Sequence, residues 1–211
     1  MDIAALGVFV VASLALILTP GQDMLFVVAR SVAQGRFAGV CSAVGVIIGI
    51  LVHTALAAFG VGALLQASEG LFIVLKLLGA AYLVYLGVRL LLARGEAMPG
   101  VAQRRGDASS AAALVWQGIL SNVTNPKIIL FFFAFLPQFV DPRGPHPTRD
   151  LVFLGVLYAA MGLPVKVGVA LAAGGFSERL LERPGAMAWM NRTSGTILVL
   201  LGLRLAAAER P

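Results

Sequence analysis

The sequence predicts an all-α integral membrane protein with six transmembrane helices, and three observations lead to this fold class. Hydrophobic residues make up 59% of the chain and charged residues only 12%, whereas soluble domains are about half apolar and about a quarter charged. The chain contains six apolar segments of the length, ~20 residues, that a helix needs to cross a bilayer. None of these segments alternates with period two, so spanning strands are not predicted.

Polar stretches separate the apolar segments and are typical of exposed loops. The predicted spans cover residues 3–29, 38–66, 70–93, 111–140, 151–175 and 186–207. The longest polar stretch, "RGEAMPGVAQRRGDASS" at 94–110, divides a single transmembrane domain (1–211) into halves of about 1–93 and about 111–211. A modest excess of Lys and Arg beside the loops that join spans 1–2, 3–4 and 5–6 predicts that both termini lie outside.

The two halves resemble each other at corresponding places. "GVRL" (87–90) closes the third segment and "GLRL" (202–205) closes the sixth, while "TPGQD" (19–23) and "TNPK" (124–127) interrupt the first segment of each half. Because each half has an odd number of spans, the halves would lie in opposite orientations. The pattern predicts two inverted three-helix repeats with broken first and fourth helices, as in many transporters. A chance match of short strings in a Leu-, Gly- and Val-rich chain is the alternative.

We call residues 19–23 the first break and residues 121–127 the second break. Residues 3–18 span only ~24 Å as a helix, which is less than the ~30 Å of a hydrocarbon core. Pro20 lacks a backbone N–H and Gly21 admits unusual conformations, so the helix is expected to end there. Freed backbone groups are tolerated at membrane depth where they line a cavity. Broken helix ends can bind the carboxylate and the ammonium of an amino acid zwitterion.

The two breaks carry charges of opposite sign, Asp23 and Lys127. A carboxylate inside a membrane is costly and indicates function. Asp23 could pair with Lys127 in the empty site, hold a substrate ammonium, or carry a proton, and Lys127 could bind the substrate carboxylate. The plainer alternative is that Asp23 caps the following helix while Lys127 extends towards the membrane surface.

Further polar residues accompany these two charges. Lys166 lies deep in an apolar segment two residues after Pro164, where it lines the pathway or pairs with a structural carboxylate. His53 is either a proton relay or a hydrogen-bonded packing histidine. The asparagines of the second break bind substrate or satisfy backbone groups that Pro126 frees. The predicted substrate-binding and coupling residues are Pro20, Gly21, Gln22, Asp23, Asn122, Asn125, Pro126, Lys127 and Lys166.

Composition argues against several other classes. The net charge of +6 comes from basic residues between apolar segments, which orient a membrane chain, so a nucleic-acid partner is not predicted. With Cys41 as the only cysteine and two histidines, neither a metal site nor a cofactor is predicted. An enzyme would need a convergent nucleophile and base, and no such set stands out. We therefore do not predict an enzyme.

Two motifs carry a resemblance to a known family. "TPGQDMLFVVARSVAQGRFAG" (19–39) resembles the first-helix signature of the lysine exporter (LysE/RhtB) family of amino acid efflux proteins. "WQGILSNVTNPKIILFFFAFLPQFV" (116–140) resembles its second signature, and the similarity spans the whole chain. The family usually has Pro-Gly-Pro followed by Asp or Asn, whereas Gln22 stands here in place of the second proline.

The resemblance implies a multi-pass exporter in the bacterial inner (plasma) membrane. Relatives export basic amino acids, threonine, homoserine and its lactone, leucine or related compounds, and are thought to exchange them for protons. We therefore expect a proton-coupled antiporter of an amino acid or derivative that works by alternating access, with close helix packing at the small residues of 39–49. A cation or metal-ion exporter, a membrane enzyme and a non-transporting assembly subunit are the alternatives. The expected partners are an amino acid, protons and the lipid bilayer, and a homo-oligomer stays open.

Overall fold

The computed structural model describes residues 3–61, 69–93, 109–141, 144–172 and 184–207. All secondary structure in these ranges is helical, which confirms the predicted all-α class. Most of the long predicted loop, residues 94–108, lies outside the described residues, as does most of the stretch between the predicted fifth and sixth spans. The helices are α1 (Ile3–Leu18), α2 (Gln22–Gln34), α3 (Arg36–Leu56), α4 (Glu69–Leu92), α5 (Ala111–Val123), α6 (Pro126–Leu130), α7 (Pro147–Ala172) and α8 (Pro184–Ala207).

Two of these helices are continued by turns of different pitch. A π-helical turn, Ala57–Val61, extends α3. A π-helical turn, Phe131–Phe135, and then a 3₁₀ turn, Leu136–Phe139, extend α6. The predicted fourth span, 111–140, therefore ends in turns of different pitch, and at its end Pro137 has no N–H to continue an α-helical ladder.

Two stretches are long and apolar enough to cross a membrane as single helices, Arg36–Gly60 and Pro147–Ala172. Two helix pairs pass the same test together, and each is bent at a break, by 45° between α1 and α2 and by 55° between α5 and α6. The described residues therefore hold two candidate spans, or up to four if each bent pair is one span. Both predicted helix breaks are confirmed, while the count of six spans stays a prediction.

The first break ends α1 at Leu18 and begins α2 at Gln22. The hydroxyl of Thr19 donates to the carbonyl oxygen of Ala15 at 2.6 Å, which closes the last turn of α1. Gly21 precedes α2 in an extended conformation and offers no side chain to cap it. The first break therefore satisfies few of its own backbone groups.

The second break satisfies more of its own backbone groups. The hydroxyl of Thr124 donates to the carbonyl oxygen of Leu120 at 2.8 Å at the end of α5. The side-chain oxygen of Asn125 accepts from the backbone N–H of Lys127 at 3.0 Å, which caps α6. Pro126 occupies the first position of α6, where its missing N–H has no intrahelical partner to lose.

Aromatic side chains form the centre of the apolar core. The ring of Phe131 lies 4.8 Å from that of Tyr158 on α7 and 6.2 Å from that of Phe9 on α1. Phe9 also meets Phe139 edge-on at 5.3 Å. These contacts hold the turn that follows α6 between α1 and α7 and so fix the position of the second break.

Glycines bring α3 and α5 into close contact, as the small residues of 39–49 predicted. A Cβ at Gly45 would clash with the carbonyl oxygen of Val115, and one at Gly118 would lie 3.0 Å from the Cα of Gly45. One turn further along α3, a Cβ at Gly49 would lie 2.7 Å from the Cβ of Asn122. Because Gly45 and Gly49 have no side chains, α5 packs closely on α3 and Asn122 lies directly against it.

Candidate functional site: a polar cluster between two helix breaks

The two breaks lie against each other. The side-chain amide of Gln22 donates to the carbonyl oxygen of Ser121 at 3.0 Å. The side-chain amide of Asn122 donates to Asp23 Oδ2 at 2.7 Å. Residues about a hundred positions apart in the chain are thus hydrogen-bonded at one place. This proximity is what an arrangement of two facing broken helices requires.

Asp23 lies in the first turn of α2 with only 4% of its surface exposed. Besides the bond from Asn122, its Oδ2 lies 3.9 Å from Nζ of Lys166. The structure therefore places Lys166, and not Lys127, at ion-pair distance from Asp23. Within the described part of the chain, the second oxygen, Oδ1, is buried without a hydrogen-bond donor. No side chain caps the N-terminus of α2 by a hydrogen bond. The negative charge of Asp23 in the first turn still interacts favourably with the helix dipole.

Lys127 reaches across to the end of α1. Its Nζ donates to the carbonyl oxygens of Leu16 at 3.0 Å and Thr19 at 3.2 Å. A Cβ at Gly21 would lie 3.3 Å from this Nζ, so the glycine leaves room for the ammonium group. The lysine of the second break thus satisfies the carbonyl groups that the first break frees.

Lys166 projects from the C-terminal third of α7, two residues after Pro164, which lies inside the helix. Its side chain is 8% exposed and that of Asp23 is 6% exposed. A buried charge is costly unless it is paired. The ion pair with Asp23 compensates the charge of Lys166 in the apolar interior.

His53 joins the cluster through the backbone of the second break. Its Nε2 lies 3.3 Å from the carbonyl oxygen of Asn122, a hydrogen bond that needs the proton on Nε2. Its ring stacks on Phe132 with centroids 5.8 Å apart. The sequence left His53 open between relay and packing, and its position next to Asn122 was not predicted. The available signal was its spacing, since Gly45, Gly49 and His53 recur every four residues and so share one face of α3.

Several buried polar atoms of the cluster lack a hydrogen-bond partner within the described residues: Asp23 Oδ1, Asn122 Oδ1, His53 Nδ1 and Asn125 Nδ2. Buried polar groups are normally paired, because an unpaired one carries its full desolvation cost. The two oxygens accept hydrogen bonds and the Asn125 amide donates them. A group that suits this cluster offers donors at one end and an acceptor at the other.

The structure places the nine predicted site residues at the two breaks and on the facing side of α7. Pro20 and Gly21 end α1, Pro126 begins α6, and the remaining six provide side chains at or beside the contact between the breaks. Sequence reasoning missed two kinds of participant. The carbonyl groups of Leu16, Thr19 and Ser121 carry no side-chain signature, and the Asp23–Lys166 pair depends on how α7 is rotated about its axis.

Together, the apolar helices, the two helix breaks and the buried charges define an integral membrane protein with an internal polar site, the arrangement of a small-solute transporter. The sequence model of the LysE type translocator family matches residues 14–209. The chain belongs to this family of translocators, which confirms the resemblance seen in the two motifs.

Relatives of similar length cover nearly the whole chain. A homoserine/homoserine lactone efflux protein of Salmonella typhimurium is 32% identical over 205 residues, 95% of either chain. An uncharacterized membrane protein of Pseudomonas aeruginosa is 37% identical over 207 residues, 95% of this chain and 94% of its own. One of Vibrio cholerae is 32% identical over 209 residues, 99% of this chain and 100% of its own. No solved structure gives a significant match.

Proposed function

We propose that this protein exports an amino acid or a close derivative across the bacterial inner membrane, in exchange for protons and by alternating access. The observation that carries the proposal is the buried Asp23 carboxylate. One of its oxygens has no hydrogen-bond partner among the described residues, and neither has the amide oxygen of the neighbouring Asn122. A carboxylate at this depth in an apolar bundle favours a role in transport. Family membership and relatives named for efflux support the direction of transport.

Each end of a zwitterion has a complementary group in the cluster. The substrate ammonium would donate to Asp23 Oδ1 and Asn122 Oδ1, to which no group in the described part of the chain donates. The substrate carboxylate would accept hydrogen bonds from the Asn125 amide and from the Lys127 ammonium. Lys127 would give up one of its bonds to the carbonyl oxygens of Leu16 and Thr19 to bind the substrate carboxylate. Gln22 is exposed at the first break, where it would contact the substrate side chain.

The proposed architecture has six spans in two inverted repeats, with both termini outside. α4 and α8 have 24 residues each, so each is ~36 Å long and sufficient for one further span. Their contact is reciprocal. A Cβ at Gly87 would lie 2.7 Å from Val199 Cγ2, and a Cβ at Gly202 would lie 2.7 Å from Val84 Cγ2.

This reciprocity supports the inverted repeat. The match of "GVRL" with "GLRL" pairs Gly87 with Gly202, and the same register pairs Val84 with Val199. A twofold axis between the repeats exchanges the members of each pair, so it turns one glycine–valine contact into the other. A self-complementary contact of this kind is what a twofold relation produces.

The test is exchange by purified protein in liposomes, with a panel of preloaded amino acids that includes homoserine, threonine, leucine and lysine. We expect at least one to leave the liposomes faster when the pH gradient drives protons inward. Liposomes that contain the Asp23→Asn variant at equal density serve as the matched control. If no amino acid in the panel moves faster with the wild-type protein than with this variant, the proposal fails.

A further inference from the structure

The pairing of Asp23 with Lys166 has a consequence for how export and proton entry are coupled. Both side chains are almost fully buried and lie 3.9 Å apart. Asp23 is also the carboxylate that the proposed function assigns to the substrate ammonium. Two ammonium groups, one from the protein and one from the substrate, are therefore directed to the same carboxylate.

We propose that Lys166 carries the exchanged proton, and that protonated Lys166 and the substrate ammonium compete for Asp23. This inference rests on the proposed function and names the group that couples the two fluxes. Asp23 stays ionised throughout and is neutralised by one cation or the other. Lys166 lies at Oδ2 and the substrate ammonium would bind at Oδ1, but a single carboxylate charge neutralises only one buried cation. The protein therefore passes between its inward-open and outward-open states either with a protonated Lys166 or with a bound substrate.

The proton balance of the cycle is as follows. On the inner side, the substrate ammonium takes Asp23 and leaves the Lys166 ammonium without its counter-ion in an apolar interior. An isolated buried ammonium is costly, so an N–H bond breaks, the electron pair stays on Nζ and the proton leaves to water on the inner side. On the outer side the substrate leaves, Nζ binds a proton from outside water, and the ion pair with Asp23 forms again. One proton enters for each substrate that leaves.

Other charged and titratable groups around Lys166 are consistent with this role. Lys166 lies at ion-pair distance from Asp23 of α2, and the positive charge of Lys127 in the second break repels it. Lys127 is itself a cation, held by the carbonyl oxygens of Leu16 and Thr19, so its charge disfavours a second unpaired cation nearby. His53 of α3 and Tyr158 of α7 interact electrostatically with the same Asp23. The other titratable residues of α2 and α3, which also pack on α7, are Arg30, Arg36 and Cys41. The sequences of α1 and of the turns Ala57–Val61 and Leu136–Phe139, which pack on α7, contain no titratable side chain.

The discriminating variant is Lys166→Arg. A guanidinium keeps the positive charge beside Asp23 but does not lose its proton in a protein. We expect the rate of pH-driven L-homoserine exchange to fall at least ~10-fold in this variant. The substrate ammonium would have to displace a guanidinium that cannot become neutral by losing its proton. Lys76→Arg makes the same change in another apolar helix, α4, at a residue that the proposed site does not include, and this variant should exchange L-homoserine at the wild-type rate.

A direct measurement of protons accompanies the exchange assay. When L-homoserine binds to wild-type protein in weakly buffered detergent solution, we expect release of about one proton per molecule bound. Lys166→Arg, which should elute as the same monodisperse species, should release none. If Lys166→Arg retains wild-type exchange and proton release, Lys166 is a fixed counter-charge and the inference is wrong.

A second measurement needs no variant. Infrared difference spectra of the wild-type protein with and without L-homoserine should show no loss of the carbonyl stretch of a protonated carboxyl group, because the proton comes from an amine. Loss of that band would identify Asp23 as the proton carrier and overturn the inference. A wild-type protein that exchanges no amino acid of the panel overturns the proposed function itself, whereas active exchange with the band lost overturns only the assignment to Lys166.

Discussion

The two helix breaks differ in how they satisfy their backbone groups. The second break is capped largely from within, by Thr124 at the end of α5 and by Asn125 at the start of α6. The first break has an uncapped helix start at Gly21, and the carbonyl oxygens of Leu16 and Thr19 depend on Lys127 from the other half. A self-capped break is a fixed platform, while a break held by a distant side chain can change partners. The first break is therefore the better candidate for the moving part of the site.

The largest effect should follow from Asp23→Asn in the first break. The amide has the size of the carboxylate but cannot neutralise either Lys166 or a substrate ammonium. Leaving a buried cation unpaired costs roughly 3–5 kcal/mol, so exchange should fall by at least ~100-fold. The measurement is pH-driven exchange in liposomes, with the amount of inserted protein determined on the same samples. Exchange within a few-fold of wild type would mean that Asp23 only stabilises α2.

The next largest effect should follow from Lys127→Met, which removes the bonds from Lys127 to the carbonyl oxygens of Leu16 and Thr19. Two carbonyl groups of α1 then lose their donor, at about 1–3 kcal/mol each, so thermal stability in detergent should fall clearly. Asn125→Ala removes only the cap of the second break and should cost about 1 kcal/mol. If Asn125→Ala lowers thermal stability as much as Lys127→Met does, the first break does not depend more than the second on a distant side chain.

A smaller effect should follow from Gly49→Ala on α3. The new methyl group would press on Asn122, at a cost of about 1–3 kcal/mol, and would shift the amide that holds Asp23. Gly168→Ala on α7 is the matched control, because nothing lies within 4 Å of a Cβ there. The control should be neutral or slightly stabilising, since alanine favours a helix by roughly 0.5–1 kcal/mol. Melting curves of the two variants in the same detergent test this order.

The smallest effect on stability should follow from Gln22→Pro. Gln22 is the first residue of α2, where proline is tolerated, so only the hydrogen bond to Ser121 is lost, at about 1 kcal/mol. The order of preference among exchanged amino acids should change, because Gln22 is exposed at the first break. Competition between pairs of labelled amino acids measures that order, and an unchanged order would remove Gln22 from substrate recognition.

The breaks were predictable because helix breaking is local. Pro20, Gly21 and Pro126 act on backbone groups within one turn, so the sequence alone locates both interruptions to within a few residues. The partner of Asp23 was not predictable by the same means. α7 is apolar nearly all round, so hydrophobic periodicity does not show which face carries Lys166 inward. The bonds from Lys127 were missed for a related reason, since their acceptors are backbone atoms that exist in every residue.

The bonds between the breaks also bear on biosynthesis. Lys127 follows Thr19 by 108 residues in the chain. At an elongation rate of about 5–20 residues per second, the first half waits roughly 5–20 seconds in the membrane before that lysine is made. During this interval the carbonyl groups at the end of α1 lack their hydrogen-bond donor, and the Asp23 carboxylate lacks both Asn122 and Lys166. We therefore expect the nascent first half to be less stable in the membrane than the finished protein.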